Sequence, residues 1–580
     1  MIVALVIGDQ RAVSQTDWEI FNRTGVGHLI SISGLHITLI AGLFALLSHW
    51  LWRHSLFTRA QLPLRCPAQK VAALVGLFSA FMYVALAGFG IPAQRTLLMI
   101  TVVTLSLWLG RVLAVSQILS AALLVVLLCD PWSVLWPGFW LSFVAIACIL
   151  YACVGRAEEL RQSAGEARLK THLISAWRTQ WAVTLGLLPI SFAWFAQTSL
   201  ISPVANALAI PVVSFVITPL SLAGSVFPAP FSIKLLSAAH TLTAWLTEGL
   251  AWLSSSRLAV WTARQPSWSV FSLAMIGTAW MLAPRGWPMR WAGVLLWSPM
   301  LLAKPSAPEQ GFWLTAFDIG QGNALLVETA NHRLMYDTGP TFSLESDGGS
   351  RVLLPYLRAR GIHHLDGVVI SHSDTDHSGG ARSLFDGLSI DWLSSSLFFD
   401  HPLLLKAPAH YPCHAGQHWV WDGVEFDVLH PAADHLQNAT LTPNARSCTL
   451  HIRYRGHSVL LTGDIEASQE RALVERARRM GWDVKADILL APHHGSGTSS
   501  TDELLAAAHP SMALFQVGYR NRYHHPKREV VQRYQDRDIL PLRTDQSGAI
   551  RMVVDTEINF TTYRCEHQRY WSSESCQRND

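Results

Sequence analysis

The first half of the sequence contains very few acidic residues. Only 8 of the 41 Asp and Glu residues in the 580-residue chain precede residue 309, compared with 19 of the 44 Lys and Arg residues. Histidine has the opposite distribution, since 19 of the 25 histidines follow residue 308. A chain of this length is too long for a single hydrophobic core, and the change in composition predicts a domain boundary. We place it in the polar, proline-containing segment "KPSAPEQG", residues 304–311.

The cysteines lack the spacing of a zinc-binding motif. The chain has 8 cysteines and no C-x-x-C pair. Four of them lie in the second half, at Cys413, Cys448, Cys565 and Cys576. Cys565 and Cys576 could form a disulfide across a short loop, and free thiols are the alternative for all four.

Charge is also nearly absent from long apolar runs in residues 1–303. We count about ten such runs, which begin near residues 29, 71, 92, 114, 138, 177, 203, 232, 268 and 290. Each approaches the ~20 apolar residues that cross a ~30 Å hydrocarbon layer. A soluble helical domain would keep a polar face on its helices, and these runs do not. The pattern predicts a polytopic α-helical membrane domain of about ten spans in a lipid bilayer.

The loops between these runs alternate in charge. The basic residues fall in every second loop: Arg53, Arg59, Arg65 and Lys70; Arg111; Arg156, Arg161, Arg168, Lys170 and Arg178; and Arg285 and Arg290. Basic loops face the cytoplasm, which predicts that residues 155–176 lie inside the cell. Ten spans then leave residues 1–28 and the second half of the chain outside. The first run, from Leu29, carries Ser31, Ser33, Gly34 and His36, and is either a full span or a re-entrant element that lines a cavity.

Polar residues at membrane depth are costly and therefore suggest function. The candidates are His36, Gln94, Arg95 and Asn206. Pro92, Pro211 and Pro219 would break or kink their helices and free carbonyl groups along a path. The alternative is that His36 and Arg95 lie near helix ends and extend to the membrane interface.

The second half alternates between strand-like and helix-like segments. "FWLTAFDIG", "NALLVET" and "HRLMYDTG" are short β-rich runs, and "LDGVVISH" and "ADILLAPHHGS" are strands that end in histidines. "EASQERALVERARRMG" is typical of a helix. This order predicts an αββα sandwich over residues 312–557, with a site at one sheet edge and a tail at 558–580.

Metal-ligating residue types follow three of these predicted strands. They are His372, Asp374, Asp376 and His377 in "SHSDTDHSGG", Asp464 in "LLTGDIE", and His493 and His494 in "LAPHHGS". Ligands at alternate positions of a tight turn point into one pocket, and a distant aspartate can bridge two ions. The spacing predicts a site for two divalent metal ions that acts on a phosphoryl or acyl centre. Surface histidines and turn aspartates without a metal are the alternative.

These motifs resemble the successive motifs of the metallo-β-lactamase superfamily. Further segments resemble the ComEC family of competence proteins, from about Met1 to about residue 555. They are "GVGHLISISGLHITLIAG" (25–42), "IPAQRTLLM" (91–99), "GFWLSF" (138–143), "SPVANALAIP" (202–211), "FDIGQGNALLVE" (317–328), "YRNRYHHP" (519–526) and "RTDQSGAI" (543–550).

The resemblance implies a multi-pass inner-membrane channel that passes one DNA strand inward during transformation. It also implies a periplasmic metallo-β-lactamase-like domain that degrades the other strand. A competence DNA receptor and a cytoplasmic DNA translocase are the partners to be expected. His525 matches the family's histidine before proline and would protonate the leaving oxygen.

The chain departs from this family at three places. It starts near the "SISGLH" region, so we expect an N-terminal DNA-handling module to be missing or truncated. Asn323 stands where the family more often has an acidic residue, which puts a ligand role for this position in doubt. The segment after Glu557 has no counterpart that we can name.

Asp374 stands where the commonest form of the first motif has a histidine. As in the ComEC family, the later segment "NARSCTLHI" offers no replacement histidine, and Asn444 or Ser447 is the polar group expected there. Oxygen ligands suit hard ions, so the site should favour Mn²⁺ or Mg²⁺, with Zn²⁺ possible, or hold its first ion weakly. Asp376 is a candidate to orient the attacking water. Asp318 and Asp337 are candidate hydrogen-bond acceptors behind the ligand histidines.

A local basic patch interrupts the acidic second half. Arg520, Arg522, Lys527 and Arg528 surround "YHHP", with Tyr519 and Tyr523 between them. Tyrosines can stack on single-stranded bases while cations follow the phosphates; an ordinary solvated face is the alternative.

The sequence leaves two functions open. One is a DNA-uptake channel with a nuclease domain. The other is a transporter whose outer domain hydrolyses a different phosphodiester or only binds.

Overall fold

The computed structural model describes residues 1–30, 32–55, 61–110, 114–153, 168–256, 258–284, 286–343, 345–436 and 438–569, without the side chains of 168–174. Several residues used above lie outside the described residues, namely Ser31, Arg59, Arg111, Arg156, Arg161, Arg285, Cys576 and most of the loop at 155–176. The chain forms two compact units, Met1–Ala303 and Lys304–Asp580. The division coincides with the change in charge and hydropathy along the sequence.

The first unit is helical. Its α-helices are α1 (Ile2–Ile7), α2 (Gln15–Thr24), α3 (Gly34–His54), α4 (Leu62–Arg65), α5 (Ala68–Leu86), α6 (Ile91–Trp108), α7 (Val115–Cys129), α8 (Pro137–Cys153), α9 (Arg168–Phe195), α10 (Ser202–Val212), α11 (Thr218–Val226), α12 (Phe231–Ser254), α13 (Trp268–Leu282) and α14 (Ser298–Leu301). Two short strands, β1 (Gln197–Ser199) and β2 (Val260–Thr262), pair antiparallel.

Four helical segments among the described residues are long and apolar enough to cross a membrane. They are Gly27–His54, Ala68–Leu86, Ile91–Trp108 and Ser202–Val226. Three further apolar helices, α7, α8 and α13, are shorter. The first unit is therefore a helical membrane domain, and the predicted count of ten spans is not confirmed.

The segment Ser202–Val226 changes its winding in the middle. A π-helical turn at Val213–Ile217 joins α10 to α11. Pro211 lies just before this turn and Pro219 just after it. Each proline removes one backbone donor from the helical ladder, and π-helical turns often accompany functional sites.

The last apolar run of the first unit is not an α-helix of spanning length. It forms a 3-10 helix, Arg290–Trp297, followed by α14. A Cβ atom on Gly277 of α13 would lie 2.5 Å from the carbonyl oxygen of Gly293. The two backbones can approach this closely only because both positions are glycine.

The second unit contains two large sheets. The first has the order β10-β9-β8-β5-β4-β3-β18-β19 and the second has the order β11-β12-β13-β14-β15-β16-β17. The strands are β3 (Phe312–Ala316), β4 (Leu325–Glu328), β5 (Arg333–Tyr336), β6 (Thr341–Ser343), β7 (Ser346–Asp347), β8 (His364–Ile370), β9 (Ser389–Ser395), β10 (His410–Pro412), β11 (His418–Trp421), β12 (Val424–His430), β13 (Thr449–Tyr454), β14 (His457–Leu461), β15 (Ile488–Leu490), β16 (Met512–Phe515), β17 (Leu540–Arg543), β18 (Ile550–Val554) and β19 (Ile558–Thr562). The small strands β6 and β7 pair only with each other.

The two sheets pack face to face. Apolar side chains of both sheets, such as Leu314, Phe426 and Leu450, form the core between them. The helices of this unit are α15 (Leu354–Arg360), α16 (Thr375–Ser378), α17 (Ala381–Gly387), α18 (Ala467–Met480), α19 (Asp502–Ala508), α20 (Arg528–Gln535), α21 (Thr544–Ser547) and α22 (Tyr563–Glu566). Helices α15 and α17 cover the outer face of the first sheet, and α18, α19 and α20 cover that of the second. Two further apolar clusters, one behind each sheet, complete an αββα arrangement.

The segment expected to be a tail begins with a strand. Strand β19 pairs antiparallel with β18 along its whole length, from Ile558 opposite Val554 to Thr562 opposite Ile550. The predicted end of the domain at residue 557 is therefore too early. Only three residues separate β18 from β19, so the sequence there reads as one continuous segment and β19 was not predicted as a separate strand.

Candidate metal centre

Three turns at the ends of β-strands bring the predicted ligands together. The turn after β8 carries His372, Asp374, Asp376 and His377, and α16 begins within it. Asp464 follows β14, and His493 and His494 follow β15. Strands β14 and β15 are parallel neighbours, so their carboxyl ends share one edge of the second sheet.

Four of these side chains form a tight cluster. The ligand atoms of Asp376, His377, Asp464 and His494 all lie within 4.8 Å of one another. Asp464 Oδ2 lies 3.2 Å from His377 Nε2 and 3.5 Å from His494 Nε2. Asp376 Oδ2 lies 3.4 Å from His494 Nε2. The cluster combines two carboxylates and two imidazoles, which is a donor set that divalent transition metals accept.

The two consecutive histidines differ in position. His494 is buried and belongs to the cluster, whereas His493 is partly exposed and its Nε2 lies 3.8 Å from Asp464 Oδ2. Both residues have left-handed backbone angles, with φ of 49° and 56°. Such angles are rare outside glycine and accumulate at functional sites. His494 is therefore the better ligand candidate of the pair.

His372 and Asp374 form the other side of the centre. His372 is buried, and its Nε2 lies 3.6 Å from Asp374 Oδ2. The Ser447 hydroxyl lies 3.3 Å from Nδ1 of His372 and accepts a hydrogen bond from the Asp464 backbone N–H. Ser447 thus supports two ligands from behind. The Asn444 side-chain oxygen is buried without a hydrogen-bond partner, which makes Asn444 the better candidate for a ligand.

Only one of the two aspartates predicted to support the histidines does so. Asp337 accepts a hydrogen bond from His377 Nδ1 at 2.8 Å and two more from the N–H and hydroxyl of Ser371. Asp318 instead lies against Arg564, with Nη2 3.8 Å from Oδ2. Burial, opposed in part by Arg564, raises the pKa of Asp318. Its position does not match the predicted contact with a ligand histidine.

The centre contains opposite charges in a buried position. Burial alone would raise the pKa of Asp464, but His377 and His494 outweigh it and hold the pKa well below its usual range. Burial would lower the pKa of His377, but Asp464 and Asp337 raise it well above its ordinary value. The pKa of Asp376 is lowered in the same way, since burial is outweighed by His494 and His377. The carboxylates therefore stay ionised and attract positive charge.

Unpaired atoms indicate what the centre holds. His372 Nε2, His377 Nε2, His494 Nε2 and Asp464 Oδ1 are buried and make no hydrogen bond. Buried polar atoms normally have a partner, so four unpaired donor atoms in one centre fit divalent metal ions. The Nδ1 atoms of His377 and His494 are occupied by Asp337 and the Gln516 carbonyl, which turns each Nε2 inward.

His525 and the basic patch lie beside the centre. The rings of His525 and His493 are 6.0 Å apart, and Tyr523 stacks on His525 at 5.8 Å. Burial and the nearby histidines lower the pKa of His525 to about 4. Arg522 lies 4.7 Å from the Tyr523 ring centre, and Lys527 donates a hydrogen bond to the Tyr523 carbonyl. The exposed Arg520 and Arg528 flank this loop.

Three of the four polar residues predicted for the membrane path are buried in the first unit. His36 Nε2 lies 3.4 Å from the Ser214 hydroxyl and 3.5 Å from the Thr218 hydroxyl, which places it against the π-helical turn. Arg95 is 6% exposed, and its Nε and Nη1 make no hydrogen bond. Asn206 donates to Ser202, and its side-chain oxygen has no partner. His36 and Arg95 lie near the N-terminal ends of α3 and α6, so both interpretations of these residues stay predictions. Gln94 is exposed and caps the Phe89 carbonyl.

Several contributing residues were missed in the sequence. Ser371 is the first residue of "SHSDTDHSGG", and its hydroxyl lies within hydrogen-bonding distance of both His372 and His377. Gln516 binds the backbone of Phe317 and Ala324 while its carbonyl fixes His494. Ser371 follows its strand directly, a signal that was available, whereas the role of Gln516 depends on contacts almost 200 residues away.

A buried disulfide joins Cys413 to Cys448, next to Ser447. The free-thiol interpretation is therefore wrong for these two cysteines. The backbone N–H of Cys448 donates to the Ser371 carbonyl, and Tyr336 donates to the Cys448 carbonyl. The disulfide thus fixes the loop that supports His372 and Asp464.

These features define a helical membrane protein with a β-rich metallo-β-lactamase-like domain that carries a divalent-metal site. Residues 5–288 match the family described as "Competence protein", and residues 317–511 match the "Metallo-beta-lactamase superfamily".

Several proteins are similar over nearly the whole chain. "Competence protein ComA" of Neisseria gonorrhoeae is 36% identical over 552 residues, 94% of this chain and 73% of that protein. "Uncharacterized protein YcaI" of Escherichia coli is 30% identical over 97% of this chain and 70% of that protein. "ComE operon protein 3" of Bacillus subtilis is 28% identical over 95% and 71%. The chain belongs to the ComEC-type family of competence proteins.

Proposed function

We propose that this protein is a DNA-uptake channel of the inner membrane that passes one DNA strand into the cytoplasm during transformation. Its second unit is proposed to be a periplasmic, metal-dependent nuclease that degrades the other strand. The observation that carries the proposal is the convergence of unpaired donor atoms from three strand ends in a chain of the competence family. A surface group of histidines would keep its polar atoms solvated.

The residues divide between two ions. Asp376, His377, His494 and Asp464 would hold one ion, and His372, Asp374 and Asp464, with Asn444, would hold the other. When bound, a pair of divalent ions neutralises phosphate charge and lowers the pKa of water. The oxygen-rich second set favours Mn²⁺ or Mg²⁺, although Zn²⁺ suits the imidazoles.

The surrounding side chains position the substrate. Asp376 is partly exposed, and its ionised carboxylate would accept a hydrogen bond from the attacking water and orient it. His525 is neutral at neutral pH because its pKa is about 4, so it would donate a hydrogen bond to the leaving oxygen. Arg522 and Lys527 beside Tyr523 would bind the phosphates of the strand, with Arg520 and Arg528 extending the patch.

One observation supports a periplasmic position for the second unit independently of any count of spans. The Cys413–Cys448 disulfide requires an oxidising compartment.

The membrane residues are assigned to the path of the strand. His36 against the π-helical turn, and Arg95 and Asn206 with their unpaired buried atoms, would contact the passing polyanion or water around it. A DNA receptor outside and a DNA translocase inside would deliver and pull the strand. Both partners are inferred from the family.

The test is metal-dependent DNA digestion by the full chain in detergent. We expect wild type to degrade DNA with Mn²⁺, and Asp464→Ala to lose all activity because the shared carboxylate is gone. His418→Gln is the matched control, since His418 pairs with Asp427 at 2.8 Å away from the centre. Equal digestion by wild type and Asp464→Ala would overturn the nuclease assignment. Cleavage of a simple phosphodiester without DNA cleavage would favour a different substrate.

A further inference from the structure

A second histidine–aspartate cluster lies at the opposite end of strand β8. We define the strand-start cluster as His332, His364, Asp366 and Asp391. His364 begins β8, whereas the candidate metal centre follows its last residue, Ile370. Six residue steps at ~3.3 Å separate the two by about 20 Å. The strand-start cluster is therefore a separate feature of the domain.

The donor atoms of this cluster converge at metal-ligand spacing. The ligand atoms of His364, Asp366 and Asp391 all lie within 4.8 Å of one another. His364 Nε2 lies 3.2 Å from Asp391 Oδ2, and His332 Nε2 approaches Asp366 Oδ1 at 3.9 Å. Two ligands on a tetrahedral zinc ion, each at ~2.0–2.1 Å, are about 3.3 Å apart. His364, Asp366 and Asp391 thus have the spacing of a three-ligand site, and His332 beside Asp366 is a candidate fourth ligand.

Both histidines are oriented from behind. His364 Nδ1 lies 3.1 Å from the Ser389 hydroxyl, and His332 Nδ1 lies 3.3 Å from Asp422 Oδ2. Asp422 is itself fixed by Thr329 and Asn331, and the His332 ring stacks on Trp421 at 4.9 Å. A carboxylate or hydroxyl on Nδ1 leaves Nε2 free to bind, which is the usual arrangement behind metal-binding histidines.

The two carboxylates lie side by side without a basic partner. The pairing of β8 with β9 places Leu365 beside Ile390 and Gly367 beside Trp392, so Asp366 lies beside Asp391. Like charges in adjacent strand positions are destabilising. Among the described residues, the ion pairs of Asp366 and Asp391 are made with His332 and His364 rather than with lysine or arginine. One cation would relieve this repulsion.

We propose that the strand-start cluster binds one divalent transition-metal ion, of which Zn²⁺ best fits the two imidazoles and two carboxylates. The ion would join the β4–β5 turn to the starts of β8 and β9. Asp366 already accepts the Arg333 backbone N–H through Oδ2, which leaves Oδ1 for the ion. The site is independent of DNA hydrolysis, because no residue is shared with the candidate metal centre.

The test is zinc binding by the full chain in detergent, measured as bound metal after equilibrium dialysis at buffered free Zn²⁺. All proteins carry Asp464→Ala, which weakens the other centre. We expect His364→Gln and Asp391→Asn to bind one zinc ion fewer than the Asp464→Ala parent. His418→Gln is the control, because this histidine also pairs with an aspartate on a strand but belongs to no group of three clustered metal-ligand atoms among the described residues.

A second measurement covers the case in which a variant is less stable. Zn²⁺ should raise the melting temperature of the Asp464→Ala parent and of its His418→Gln variant, and leave that of the His364→Gln and Asp391→Asn variants unchanged. The altered side chains are substantially exposed, at 44% and 63%, so the variants should fold. Equal zinc content and an equal zinc-induced shift in all four proteins would overturn the proposal. Loss of nuclease activity in Asp464→Ala alone bears only on the candidate metal centre.

Discussion

At the scale of single residues, Asp337 and Asp318 show how position separates two similar side chains. Both follow a strand of the first sheet and both were predicted to support ligand histidines. Asp337 is fully buried, has a left-handed φ of 57° and accepts three hydrogen bonds. Asp318 is half-exposed and lies beside Arg564. Only Asp337 can fix the orientation of His377.

We therefore expect Asp337→Asn to weaken metal binding and DNA hydrolysis. An amide retains one acceptor oxygen in place of two, so His377 loses its anchor or Ser371 loses its partner. Loss of a carboxylate behind a metal-binding histidine typically costs about 10–100-fold in affinity or activity. Mn²⁺ affinity and the rate of DNA cleavage are the measurements, and Asp318→Asn is the control, expected to remain near wild type. Equal losses in both variants would contradict the distinction.

The candidate ligands can be predicted from local sequence, whereas the residues that hold them in place cannot. His372, Asp376, His377 and Asp464 follow strands at fixed local spacing, which a reader can recognise from neighbouring residues. The choice of His494 over His493 depends on two left-handed backbone positions. The Cys413–Cys448 disulfide joins positions 35 residues apart, one just after β10 and the other just before β13. Neither feature is local, so neither could be predicted from nearby residues.

At the scale of elements, the end of the first unit depends on one close approach. The 3-10 helix Arg290–Trp297 packs on α13 through Gly277 and Gly293. Trp297 reaches across to donate to Ala274 and Thr278. The apolar run near residue 290 was recognisable in the sequence. Its 3-10 geometry and the π-helical turn at Val213–Ile217 were not, because both depend on packing against neighbouring helices.

We expect Gly277→Ala to destabilise the first unit. Its Cβ would lie 2.5 Å from a backbone oxygen, which cannot rotate away, and such overpacking costs about 1–3 kcal/mol. Gly249→Ala in α12 is the matched control, because a Cβ there meets nothing within 4 Å and alanine favours the helix by about 0.5–1 kcal/mol. Melting temperature in detergent should fall for Gly277→Ala and hold or rise for Gly249→Ala. The same melting temperature for both would show that the contact is loose.

At the scale of the whole molecule, the count of membrane crossings decides which side of the membrane carries the second unit. The alternation of basic loops, taken with ten crossings, predicts the outside. Four helical segments among the described residues have the length of a span, and the run at Arg290–Trp297 is a 3-10 helix too short to be one of them. The disulfide is independent of any count, because Cys413 and Cys448 pair within the second unit itself.

The compartment prediction can therefore be tested by two measurements with different physical origins. A reporter enzyme that is active only in the periplasm should be active when it is fused after Ala303. A reporter that is active only in the cytoplasm should be active when it is inserted at Ala164. Intact cells are treated with acid so that the state of each thiol is preserved, and the protein is then alkylated. Cys413 and Cys448 should react only after a reductant is added, because a disulfide forms and persists in the periplasm. Cys129 is the internal control, since it is a free and exposed thiol that should react without reductant. A cytoplasmic signal after Ala303, together with freely reacting Cys413 and Cys448, would place the nuclease domain inside the cell. The last apolar run would then be a surface element rather than a crossing, and the domain could not meet DNA before it enters.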